Sequence, residues 1–261
     1  MMPADYRANQ ITTELSWDDL VLDQDALSKI RDIQEWIKNN NSFQENLGTS
    51  RKPKIGYHTL FYGPPGTGKT LTATLLGKAT NIDVYKIDLS MVISKYIGET
   101  EKNLNVVFDK AENKNWVLFF DEADALFGKR TEVKDAHDRY ANQEVSYLLQ
   151  RIEEYEGLAI LATNLHSNIE KAFIRRFDSV VYFPLPKPPE RKRLWEKAIP
   201  KKIQMARELN VADLAEKYEL TGSNIMNIVR YASLQVTERQ TSTINQDLLE
   251  QSIKKELTKD R

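Results

Sequence analysis

The apolar residues of this chain change period several times, and each change marks an element boundary. Leu27, Ile30, Ile33 and Ile37 recur at helical spacing and predict an amphipathic helix over about 24–39. The stretch 39–54, with its asparagines, Gly48 and Pro53, reads as a loop. Short apolar runs then alternate with helical patterns. Strands are expected at 57–62, 84–89, 117–120, 158–163 and 180–183. The helices between them are marked by Leu71, Leu75 and Ala79, by Leu104, Val107, Phe108 and Ala111, and by Val145, Leu148, Leu149 and Ile152. Strands alternating with helices of this length imply an α/β fold, a parallel sheet covered on both faces. The run Pro184-Leu185-Pro186-Lys187-Pro188-Pro189 breaks the alternation and reads as a hinge. Beyond it only helical periodicity remains, as at Ile225, Ile228, Val229, Ala232 and Val236, so a small helical bundle is expected. The organisation is therefore a disordered or partial N-terminal segment 1–16, an α/β lobe 17–186 and a helical lid 187–261.

Composition narrows the function classes. Lys and Arg number 37 against 38 Asp and Glu, a formal net charge of -1, which leaves no overall electrostatic footprint for nucleic acid or anionic membrane. Cysteine is absent, which excludes disulfides and thiolate metal sites. The longest apolar run, Trp116-Val117-Leu118-Phe119-Phe120, is far too short to span a bilayer. The N-terminus lacks the basic-then-apolar order of a signal peptide. A cytoplasmic protein is expected, with no membrane partner and nucleic acid disfavoured.

Two motifs carry chemistry. Gly63-Pro64-Pro65-Gly66-Thr67-Gly68-Lys69-Thr70 has the spacing of a phosphate-binding loop, between an expected strand and an expected helix. Glycines there let the backbone curl its N–H groups toward phosphate at the positive end of the helix. Pro65, Gly66, Thr67, Gly68, Lys69 and Thr70, with Leu71 after them, form the expected nucleotide-binding set. Lys69 would reach the β- and γ-phosphates, and the Thr70 hydroxyl would ligate Mg²⁺. The plain alternative is a Gly/Pro turn, which the eight fixed positions make a poor account. The second motif is Leu118-Phe119-Phe120-Asp121-Glu122-Ala123-Asp124, an apolar strand ending in carboxylates. Ligands bind at that end of open α/β sheets. Asp121 would hold the metal and Glu122 would orient and polarise the attacking water. Acidic residues after a strand are often only a solvated turn, but a phosphate loop upstream favours the catalytic reading. Water as acceptor implies ATP hydrolysis with ATP and Mg²⁺ as cofactors.

These motifs, with Ala162-Thr163-Asn164 and Ile174-Arg175-Arg176-Phe177-Asp178, resemble the AAA+ ATPases over about residues 17–240. The resemblance implies a parallel sheet of order 5-1-4-3-2, a helical lid and a homo-oligomer, a hexamer. It implies that Asn164 is the polar sensor placing the lytic water and that Arg175 and Arg176 are arginine fingers acting on a neighbour's site. It also implies that Val21 and Leu22 contact the adenine and that Gly222 approaches the nucleotide. Many branches carry an Arg three residues after that Gly, where this chain has Ile225. Lys95-Tyr96-Ile97-Gly98-Glu99 resembles the loop that lines the ring pore in polypeptide translocases, with Tyr96, Ile97 and Gly98 gripping a protein substrate. Gly128–Tyr140 would be a second pore loop.

The segments 94–104, 135–144 and 182–186 are most similar to the AAA+ ATPase of extracellular contractile injection systems, the phage-tail-like particles. That likeness implies a ring motor that remodels or threads a protein during particle assembly. Two competing functions use the same fold: a nucleic-acid motor or clamp loader, and an ATP-regulated scaffold. The neutral charge and the Tyr96-Ile97-Gly98 loop disfavour the first; Glu122, Asn164 and the Arg pair disfavour the second.

Overall fold

A computed structural model describes residues 8–46, 56–89, 99–124, 136–164, 171–206 and 208–259. The α/β part contains β1 (Ala8–Ile11), α1 (Gln24–Asn46), β2 (Tyr57–Tyr62), α2 (Lys69–Thr80), β3 (Val84–Asp88) and α3 (Glu99–Lys114). It continues with β4 (Val117–Asp121), α4 (Ala136–Glu154), β5 (Leu158–Thr163), α5 (Lys171–Ile174) and β6 (Ser179–Tyr182). The helical part contains α6 (Pro188–Ala198), α7 (Val211–Lys217), α8 (Gly222–Glu238) and α9 (Gln246–Leu257).

The sheet has the order β1-β3-β4-β5-β2-β6, parallel except at β1. Counted from β2 as the first expected strand, this is the 5-1-4-3-2 order with one strand added. Residues 8–11, within the segment 1–16 expected to be disordered or partial, form this strand, whereas 1–7 lie outside the described residues. Ala8–Ile11 pairs antiparallel with β3, Ala8 opposite Ile87 and Ile11 opposite Val84, and Gln10 donates to Asp83 at 2.9 Å. Such a short edge strand is held by backbone pairing and leaves no hydrophobic period to read. A second difference lies in α1, whose backbone stays helical to Asn46, through part of the expected loop. A third is in the helical part, where Gln204–Met205 (β7) and Thr243–Ile244 (β8) form a two-stranded parallel pair.

The chain folds as two compact units. One comprises 1–16, 24–63 and 69–183; the other comprises 17–23, 64–68 and 184–261. Trp17–Asp23 and Pro64–Gly68 thus group with the helical part, although the hydrophobic pattern assigns both to the α/β lobe. In the first unit, Leu118 and Phe120 of β4 and Ile87 of β3 are buried with Leu104, Phe108, Leu148 and Ile152 of α3 and α4. The opposite sheet face packs on α2. In the second unit, Trp195, Leu214, Ile225, Ile228, Val229, Leu249 and Ile253 form a separate core. Among the described residues no helix is long and apolar enough to cross a membrane.

Candidate nucleotide site

Strand alternation decides where the carboxylate of β4 goes. Leu118 and Phe120 face α3 and α4, so Phe119 and Asp121 take the other face, the side on which α2 packs. The first residue of α2 is Lys69. The same elements therefore bring the end of β4 and the start of the helix after the phosphate loop to one side of the sheet.

Lys69 is buried, and its ammonium donates to the Gly63 carbonyl at 2.6 Å and to Asn164 Oδ1 at 2.9 Å. Asn164, just past β5, is itself fixed: its N–H donates to Asp124 Oδ1 at 3.0 Å, and the Thr163 hydroxyl donates to the same oxygen. The N–H of Ala123 donates to Ala162 O at 2.9 Å, tying the turn after β4 to β5. Lys69, Asn164 and Asp124 thus form one chain of hydrogen bonds across three elements. Burial lowers the Lys69 ammonium from 10.5 to about 8, against the opposing pull of Asp121 and Asp124.

That shift has two consequences with a definite sign. The folded value lies below the unfolded one, so the unfolded chain holds the extra proton between about 8 and 10.5. This contribution to stability is therefore least favourable below pH 8 and improves as pH rises through that window. Nucleotide binding runs the other way, because phosphate charge favours the ammonium. Affinity should be flat up to about pH 8 and then fall by roughly tenfold per pH unit, with net proton uptake on binding. Titration calorimetry at about pH 9 in two buffers of different ionisation enthalpy measures this. Equal heats in the two buffers would remove Lys69 as the titrating phosphate ligand.

Glu122 follows the end of β4 in the left-handed region, φ 55°, and its side chain is exposed. A non-glycine residue there costs roughly 1–3 kcal/mol and is found where surrounding structure imposes it. Here the Glu122 N–H donates to Asp121 Oδ1 at 3.0 Å, and the next residue, Ala123, is tied to β5. The turn takes Glu122 out of the strand's alternation, so its carboxylate reaches solvent rather than the sheet face. Asp121 is only partly exposed, and Lys86 approaches its Oδ2 at 2.6 Å.

The phosphate loop requires its glycines. Gly63 has φ 143°, and a Cβ there would lie 2.1 Å from the Phe183 carbonyl oxygen. Gly66 has φ 75°; its carbonyl accepts the Ser223 N–H at 3.3 Å, and a Cβ would come within 2.6 Å of Thr221 Oγ1. Thr67 Oγ1 donates to Pro64 O at 2.8 Å, and Pro65 lies between them, exposed. Gly68 lies against Leu20, next to the buried Val21 and Leu22. Thr221 caps α8 through a box with Asn224, whose amide donates to the buried Glu256 at 3.2 Å. Gly222, the first residue of α8, is half-buried, and a Cβ there would sit 3.6 Å from Gly66 O. Pro64–Gly68 is thus held in the second unit by the first turn of α8.

Within the first unit, the buried ammonium and the strand-end carboxylate pair fit a magnesium–nucleotide complex. Lys69 would hold the phosphates; Thr70, exposed in the first turn of α2 ahead of Leu71, would join Asp121 on the metal. The bound complex supplies the electrophilic phosphorus and the cation that neutralises its oxygens. Glu122 would orient and polarise water, and Asn164 would hold it in line.

Arg175 and Arg176 are exposed in the turn after α5. Arg176 pairs with Glu153 at 2.9 Å, whereas Arg175 has no ion pair among the described residues. Ile225 is fully buried in the core of the second unit, so this position serves packing. Tyr96, Ile97 and Gly98 lie outside the described residues, as do residues 128–135 of the second expected pore loop. Two further residues join the site that the sequence does not single out. Asp124 stands in the acidic motif but shows its role only through its bonds to β5. Lys86 gives no signal without the register of β3 on β4.

A model of the ATPase family associated with various cellular activities (AAA) matches residues 59–185. Over 257 residues the chain is 32% identical to cell division protein C of Sulfolobus acidocaldarius, covering 91% of this chain and 68% of that protein. It is 30% identical over 242 residues to peroxisomal ATPase PEX6 of Candida glabrata, covering 89% of this chain and 23% of PEX6. It is 29% identical over 250 residues to vacuolar protein sorting-associated protein 4 of Dictyostelium discoideum, covering 90% of this chain and 54% of that protein. Several of the curated relatives are much longer, and the chain spans only 23%, 30% and 26% of three of them. A phosphate loop, a strand-end carboxylate pair and these likenesses agree, and the chain belongs to the AAA family of ATPases, which hydrolyse ATP with Mg²⁺.

Proposed function

We propose that this chain is the motor module of a hexameric ring that remodels or threads a protein substrate. The observation that carries the ATPase half is the Lys69–Asn164–Asp124 chain beside Asp121 and Glu122, a hydrolytic arrangement rather than a nucleotide store. The exposed Arg175, with no ion pair among the described residues, is available to a neighbouring subunit. Relatives named for peroxisomal, protein-sorting and cell-division roles support a protein substrate. So do the neutral net charge and the Tyr96-Ile97-Gly98 sequence. The likeness of segments 94–104, 135–144 and 182–186 to contractile-injection ATPases supports a task in assembling such a particle, in the cytoplasm.

The test is a paired measurement on Tyr96→Ala. ATP turnover should stay within about twofold of wild type, because Tyr96 belongs to neither the phosphate loop nor the carboxylate pair. Substrate remodelling should fall sharply, since lost aromatic area of this size costs on the order of 1–3 kcal/mol per engaged subunit. Full-rate remodelling by Tyr96→Ala would sink the threading reading. Salt-sensitive DNA stimulation of turnover would favour a nucleic-acid motor instead.

A further inference from the structure

We propose that Lys86 is a built-in counter-cation of the metal site, which occupies Asp121 until nucleotide arrives and so makes divalent-cation binding conditional on nucleotide. The proposal rests on the reading of Asp121 as the metal-holding carboxylate. Its basis is the register of β3 on β4. Asp88 lies opposite Asp121 and Lys86 opposite Phe119, so Lys86, Asp88 and Asp121 share one sheet face. Two carboxylates directly opposite one another repel. Lys86 reaches diagonally and brings its ammonium to 2.6 Å from Asp121 Oδ2, while Oδ1 accepts the Glu122 N–H at 3.0 Å. Both oxygens of the carboxylate are therefore engaged within the chain.

The groups around the pair make this arrangement consequential. Asp88 lies opposite Asp121, and Lys69 feels both Asp121 and Asp124. Unneutralised, the Asp121 carboxylate would attract a divalent cation. Lys86 cancels one charge, and an approaching cation must displace the ammonium and meet its repulsion. Magnesium gives up its water reluctantly and usually binds one or two carboxylates together with substrate phosphates. A carboxylate already paired is a poor ligand alone, and phosphate charge tips the balance. The side chains of Lys86 and Asp121 are 36% and 21% exposed, so the pair is weak enough to exchange. The same contact holds the Asp121 carboxylate in place before the metal arrives.

The experiment titrates the nucleotide-free protein with Mn²⁺ alone and counts free ion by electron paramagnetic resonance. Lys86→Gln should bind Mn²⁺ at least about tenfold more tightly than wild type, whereas Lys86→Arg, which keeps the charge, should match wild type. Lys86→Met, which keeps the stem, serves if Lys86→Gln does not fold. With ADP present, the gap between wild type and Lys86→Gln should shrink to within about threefold. Adding Asp121→Asn to Lys86→Gln should abolish the gain. Unchanged or weaker Mn²⁺ binding by Lys86→Gln, an equal gain in Lys86→Arg, or a gain that survives Asp121→Asn each overturns the proposal. Nucleotide-dependent Mn²⁺ binding unaffected by Asp121→Asn alone removes the metal role of Asp121, and the proposal with it.

Discussion

Replacing Glu122 by Gln should leave Mg²⁺–ATP bound and slow its turnover about a thousandfold. The amide keeps the size of the side chain and, with it, the left-handed turn after β4. What it loses is the charge proposed to polarise water, and a positioned base of this kind contributes roughly 10²–10⁴ in rate. Lys69, Thr70 and Asp121 are untouched, so affinity should change little. Retained radiolabelled ATP after gel filtration, beside phosphate release in the same preparation, separates the two effects. Turnover near the wild-type rate would take Glu122 out of the reaction, and loss of binding would assign it to the nucleotide pocket instead.

Arg175→Ala should slow hydrolysis by about 10³, equivalent to roughly 4 kcal/mol of transition-state stabilisation, with ATP affinity nearly unchanged. Arg176→Ala should also slow turnover, but its guanidinium is tied to Glu153 at 2.9 Å and must leave that contact to act. An exposed pair of this kind is worth about 0.2–1 kcal/mol, a barrier a phosphate group easily overcomes. Glu153→Gln should therefore leave hydrolysis equal to wild type or slightly faster. Mixing decides whether either residue acts across subunits. Arg175→Ala subunits keep a sound phosphate loop, and Lys69→Ala subunits keep sound arginines, so mixed rings should regain activity that neither parent has. Co-assembled mixtures that stay inactive would place the action of Arg175 within its own subunit.

The motifs were legible because phosphate chemistry constrains them locally. Gly63 to Thr70 must curl within eight positions, and Leu118 to Asp121 must be apolar and then acidic at the strand end. The sheet order followed from family likeness, and the β-α alternation from the hydrophobic period. What escaped was set by contacts distant in sequence. Ala8–Ile11 is a strand because the edge of β3 is open to it. The pairing of Lys86 with Asp121 depends on a diagonal across two strands separated by α3. The grip of α8 on Gly66 joins positions more than 150 residues apart, Ser223 to Gly66, and no local pattern encodes it. The strained φ of Glu122 arises where Asp121 accepts its N–H and Ala123 is bound to β5.

The most direct test of the account is phosphate release per subunit from Mg²⁺–ATP, measured against protein concentration in wild type and Lys69→Ala. On the proposed reading, a neighbour's arginine completes each site, which then works only in the assembled ring. Turnover per subunit should therefore rise steeply with concentration to a plateau, and Lys69→Ala should release no phosphate at any concentration. Turnover per subunit that stays constant while the subunit dilutes to monomer, or hydrolysis that persists in Lys69→Ala, would contradict it.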